Sequence, residues 1–76
     1  MIVEKDGAEM TTYIIRWYDR RTRCWVVEVR DDQGNNLDEV EYYQTEQEAK
    51  AAAKAQRSAR LAFGRVIGRK EAPKHA

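Results

Sequence analysis

Residues 12–30 read TYIIRWYDRRTRCWVVEVR, and the fold turns on how this stretch is parsed. Tyr13, Ile15 and Trp17 alternate with Ile14, Arg16 and Tyr18, and β-branched and aromatic residues dominate, which predicts a strand. Residues 19–23 read as a turn, because an aspartate in first position accepts hydrogen bonds from the amides that follow it. From Cys24 to Arg30 the alternation resumes, with Trp25, Val27 and Val29 on one side. A turn centred on Arg21 sets Trp17 opposite Trp25 and Ile15 opposite Val27, aromatic and β-branched pairs of the kind that stabilise sheets. Both tryptophans are then expected in the core. The solvent face is expected to carry Ile14, Arg16 and Tyr18, then Val26, Glu28 and Arg30, then Glu39, Glu41 and Tyr43 from a third strand.

Outward from this hairpin, residues 31–36 (DDQGNN) are turn formers, and residues 37–43 follow as a third strand with Val40 and Tyr42 on one side. The strand order is a meander. Residues 1–5 fit either a short edge strand or a loose end. At Thr45 the period changes from 2 to 3.6, and Thr45 with Glu48 makes a capping box. Ala49, Ala52, Ala53, Gln56, Ala59, Phe63, Val66 and Ile67 recur at helical spacing, so the helix is expected to end at Gly64 or to run on to Gly68. Residues 69–76 read as a flexible polar tail. The predicted fold class is α+β: a three-stranded antiparallel sheet with one C-terminal helix packed on one face, a single domain over 1–76 with an ordered core of about 12–67.

Composition narrows the function classes. The chain has 76 residues, 42% of them apolar and 36% charged, with a net charge of +1, so one small core is the limit and multidomain enzymes are excluded. Val, Ile, Leu and Phe number only 13, which predicts a core leaning on Trp, Tyr and Ala. No apolar run has the length of a membrane helix, and residues 1–10 carry no apolar stretch of a signal peptide, so a cytoplasmic protein is expected. Cys24 is the lone cysteine and His75 the lone histidine, so neither a disulfide nor a metal site is expected, and no cofactor motif occurs. Glu39 and Glu41 read as a solvated strand face rather than a catalytic pair. Catalysis is not expected.

Charge is divided unevenly. Residues 1–44 carry six basic and ten acidic side chains, whereas residues 45–76 carry eight basic and three acidic. Lys50, Lys54, Arg57, Arg60, Arg65, Arg69 and Lys70 form a basic run whose functional reading is an electrostatic contact with nucleic acid or with an acidic protein surface, with Arg20, Arg21 and Arg23 as an extension. Its bland counterpart is a solubilising helix face with cations near the helix C-terminus. The run contains no Tyr or Trp, so base stacking is not expected from it. A second functional class is a protein-interaction or inhibitor module using the sheet face around Tyr18, Val26 and Tyr43, or an edge strand, with homodimerisation as a variant.

The order strand, turn, strand, turn, strand, helix carries Tyr-Asp-x-x-Thr-x-x-Trp at Tyr18, Asp19, Thr22 and Trp25 and Thr-x-x-Glu-Ala at Thr45, Glu48 and Ala49. Over residues 12–62 this resembles the small β-β-β-α domains at the N-terminus of phage and transposon integrases. The resemblance implies binding of arm-type DNA sites through the sheet, although the matching strand face here carries Glu28, Glu39 and Glu41. At the level of architecture the chain is also similar to small standalone prophage proteins and phage-encoded inhibitors of host defence, which implies protein contact.

Overall fold

Asp19 closes the hairpin. In the computed structural model, which describes residues 10–75, its Oδ1 accepts the Arg21 amide at 2.9 Å and its carbonyl accepts the Arg23 amide at 2.8 Å. Arg23 sits in the left-handed region at φ 59°. The loop therefore holds four residues, 20–23, and the strands β1 (Met10–Asp19) and β2 (Cys24–Arg30) pair Trp17 with Val26 and Tyr18 with Trp25. This is one position away from the expected register. Because side chains alternate with a period of 2, the shift puts the two tryptophans on opposite faces and Tyr18 and Ile14 on the face of Trp25.

Residues 31–40 form a loop folded around Asp31, whose Oδ1 accepts the Gln33 and Asn35 amides at 2.9 Å each. Gly34 within it has φ 87°. The third strand is shorter than expected: β3 spans Glu41–Tyr43 and pairs antiparallel with β2. Thr45 then caps α1 (Glu46–Arg60) through the full capping box, its hydroxyl accepting the Glu48 amide. The helix stops at Arg60, a 3₁₀ turn (Leu61–Phe63) follows, and the chain enters a fourth strand, β4 (Gly64–Lys70).

This fourth strand corrects the expected meander with a terminal helix. β4 pairs parallel with β1 from Met10↔Gly64 to Arg16↔Lys70, so the sheet is mixed, with order β3-β2-β1-β4. β3 and β4 lie at opposite edges and run in the same direction, so the chain must return along the whole sheet between them. A 15-residue helix of about 22 Å does this. Gly64, at φ 146°, begins β4 because a Cβ there would lie 2.4 Å from the Met10 carbonyl oxygen. The stretch expected as a loose tail continues the pairing: Glu71 donates its amide to Arg16 at 2.8 Å, Lys74 to Tyr18 at 3.0 Å, and Arg20 donates to the Lys74 carbonyl at 2.9 Å. The edge strand or loose end expected over residues 1–5 lies outside the described residues.

The core is aliphatic and split by the sheet. On the helix side Ile14, Val27, Val29 and Val66 pack around Ala49, with Trp25, Tyr43, Ala52 and Ala53 at the margin. On the other side Ile15, Val26 and Trp17 pack with Tyr13 and Val40. β-branched residues thus supply more of the core than the aromatics and alanines expected to build it, each contributing about 1.5–3 kcal/mol when fully buried. Ala49 is fully buried, and its short side chain lets the helix approach the Val and Ile layer closely. Phe63, expected in the apolar stripe, is 74% exposed. Glu28, expected on an open face, is buried, accepting a hydrogen bond from the Trp17 indole N–H and another from Arg30 Nε at 3.1 Å.

Candidate functional site

Lys50, Lys54 and Arg57 are spaced by four and three residues, which puts them on one side of α1. That side overlooks β4. Across the gap stands Lys70 of β4, and the floor is Ile14 and Arg16 of β1. Gly68 lies between them with open space where a Cβ would project, so the floor stays clear of side chain at that point. The result is a cleft of about 340 Å³ between helix and edge strand, lined by five basic side chains and no acidic one.

One carboxylate stands beside it. Glu46, in the first turn of α1, accepts a hydrogen bond from Lys70 Nζ at 3.0 Å and lies 3.5 Å from Arg16 Nη2. The Lys70 hydrogen bond, with the charges of Lys70, Lys50 and Arg16, holds the Glu46 carboxyl below the usual carboxylate range. Arg16 is otherwise underused: its buried Nε has no hydrogen-bond partner among the described residues. Like charges gathered in this way repel and work against folding, and a bound anion relieves the repulsion.

Of the seven basic residues singled out from sequence, four converge here and three do not. Arg60 turns toward the loop before β3, bonded to Gln56 at 3.1 Å and to Asp38 at 3.4 Å. Arg65 precedes the buried Val66 on β4 and so projects from the face opposite α1, as does Arg69, which pairs with Ile15 and sets its guanidinium 5.3 Å from the centre of the Tyr13 ring. Arg16, which sequence reasoning assigned to an open sheet face, belongs to the cleft instead. Parity alone could have found it, had the turn length been known. Arg20, Arg21 and Arg23 are exposed in the hairpin loop, with Arg21 Nη2 3.3 Å from His75 Nδ1. Lys74 lies 4.6 Å from the centre of the Trp17 ring and 2.9 Å from Glu71.

The patch expected from Tyr18, Val26 and Tyr43 does not share a face. Val26 is fully buried on the side away from α1, whereas Tyr18 and Tyr43 lie on the helix side. The Tyr43 hydroxyl donates to Glu41 Oε1 at 2.7 Å, and this bond, with partial burial, raises its pKa to about 12. The one-residue register shift causes this rearrangement.

Among the described residues no three His, Cys, Asp or Glu side chains gather as a metal ion would need, and no helix is long and apolar enough to cross a membrane. What the site offers chemically is cationic hydrogen-bond donors in a row, suited to oxyanions. In comparisons with known proteins, no family model, no curated protein and no solved structure matches this chain.

Proposed function

We propose that this protein binds nucleic acid through the cleft between α1 and β4, with Lys50, Lys54, Arg57, Lys70 and Arg16 as phosphate contacts. The observation that supports this most is the convergence of five basic side chains from three elements on one cleft without a lining carboxylate. The helix row faces Lys70 and Arg16 of the sheet, so cations stand on both sides, and a polyanion lying between them displaces counterions from its own backbone. Arg60, Arg65 and Arg69 fall outside this reading. The activity is binding, with no reaction assigned.

Phosphate contacts carry a salt signature. If about five phosphates are neutralised, affinity for mixed-sequence DNA falls roughly 500-fold as salt rises from about 50 to about 200 mM. Fluorescence polarisation with labelled oligonucleotides at the two concentrations measures this. Salt-sensitive binding of that steepness is the expected result. Absence of binding at the lower salt overturns the reading and redirects the cleft toward an acidic protein surface.

A further inference from the structure

The basic cleft does not end at Lys70. Tyr18 and Trp25 are cross-strand partners on the helix side of the sheet, with ring centres 5.4 Å apart and planes inclined by 59°. Both are half-buried. With Lys70, Glu71 and Pro73 they line a second hollow of about 370 Å³, in which apolar surface predominates. Lys70 lines both hollows, and its Nζ sits 5.2 Å from the centre of the Trp25 ring. Cationic cleft and aromatic hollow are therefore neighbours that share one lysine.

We propose that the ligand is single-stranded nucleic acid, with its phosphates along Lys50, Lys54, Arg57 and Lys70 and one unpaired base held against Trp25 and Tyr18. This rests on the reading of the cleft given above and narrows it.

Three features favour a base in the hollow over more backbone. The first is its wall, two aromatic rings and a proline, which offers a flat apolar surface suited to a π-face. The second is the scarcity of cations at the hollow: among the described residues Lys70 is the one basic residue that lines it, and the Glu71 carboxylate is paired with Arg30, Arg69 and Lys74. The third is Lys70, which can pair with a phosphate while standing beside the ring on which the attached base would lie. Bases in a duplex are stacked on one another and cannot reach such a surface, whereas unpaired bases can be splayed out onto it. The hairpin loop with Arg20, Arg21 and Arg23 begins one residue pair beyond Tyr18 and Trp25, which continues positive charge past the hollow.

The test changes the ligand and leaves the protein intact, because Trp25 packs against the core and its removal could unfold the chain. The full chain is titrated at low salt with a mixed-sequence single strand, with the same strand as a duplex, and with an abasic strand of equal length and phosphate count. Polarisation and tryptophan fluorescence are read together. The expected result is that the abasic strand binds at least fivefold more weakly than the intact one, in line with the loss of one stacked base. The intact strand alone is expected to quench fluorescence, and the duplex to bind more weakly than the intact strand. Equal, salt-sensitive binding of all three ligands overturns this inference and leaves the phosphate-binding cleft standing. Binding of none overturns both.

Discussion

The two sides of α1 meet the same sheet and differ in almost every respect. Toward β4 the helix presents Lys50, Lys54 and Arg57 over a floor opened by Gly68. Toward β3 it presents Ala52, Ala55, Gln56 and Ala59 against Glu41 and Tyr43, which are bonded to each other. Ala51, Ala55 and Ala59 are exposed as well, so solvent-facing positions of this helix are often alanine. A helix charged merely for solubility would carry its lysines on those open positions too. Here they collect along one seam, opposite further cations from another element. On the proposed reading, the placement of charge, and not the nearly neutral total, is the functional signal.

The most severe way to break the comparison is to remove the strand that forms one wall. Gly64→Ala puts a methyl group against the Met10 carbonyl in a backbone conformation that side chains rarely adopt. A loss of about 2–4 kcal/mol is expected, measured by urea unfolding, with the β4 edge lost first. A change below about 0.5 kcal/mol would mean that the pairing of Gly64 with Met10 is not as described.

A smaller effect sharpens it. Glu46 competes with any incoming phosphate for Lys70 and Arg16. Glu46→Gln is expected to tighten DNA binding several-fold at low salt, while slightly weakening the fold through loss of a favourable acid in the first helical turn. Unchanged or weaker binding by the variant would place the ligand away from this end of the cleft.

The smallest effect is on pH dependence. Glu46 and Glu71 sit below the usual carboxylate range, held there chiefly by hydrogen bonds from Lys70 and Lys74. In the unfolded chain such groups take up protons near pH 4.3, before the folded ones do. Their contribution is therefore present above that pH and fades as pH falls through the lower folded values. Tyr43, raised to about 12, works in the other direction: its contribution is present below about pH 10 and fades as pH rises toward 12. Melting temperature followed by circular dichroism is expected to be flat between roughly pH 5 and 9 and to decline outside it. A melting temperature still level at pH 3 would contradict the pairing of the two glutamates.

The asymmetry of α1 also marks what was legible in the sequence. The hairpin, the start of the helix at Thr45 and the basic run were readable from local pattern, because capping and alternation are short-range signals. The register of β1 and β2 was not. Ile14 and Ile15 are both apolar, as are Val26 and Val27, so either parity buries hydrophobic side chains, and the choice falls to a turn whose length depends on Arg23 entering the left-handed region. β4 was hidden for a different reason. Its seven residues include two glycines and three cations, and Phe63, Val66 and Ile67 happen to continue the helical spacing of the alanines before them. What makes it a strand is parallel pairing with β1 more than 50 positions earlier in the chain. Four of the cleft residues could thus be named as cations, but their convergence could not be read until β4 had a partner.

The central claim is that location in the cleft, and not positive charge as such, decides which arginine matters. Arg57 and Arg65 carry the same charge, both are exposed, and only Arg57 lines the cleft. The most direct measurement is the slope of log affinity against log salt for a DNA oligonucleotide, compared between Arg57→Ala and Arg65→Ala. Arg57→Ala is expected to lower the slope by about 0.7–0.9, the worth of one phosphate contact, with Arg65→Ala leaving it unchanged. Equal reductions in both variants would show a diffuse attraction to the whole protein and contradict the cleft as the binding site.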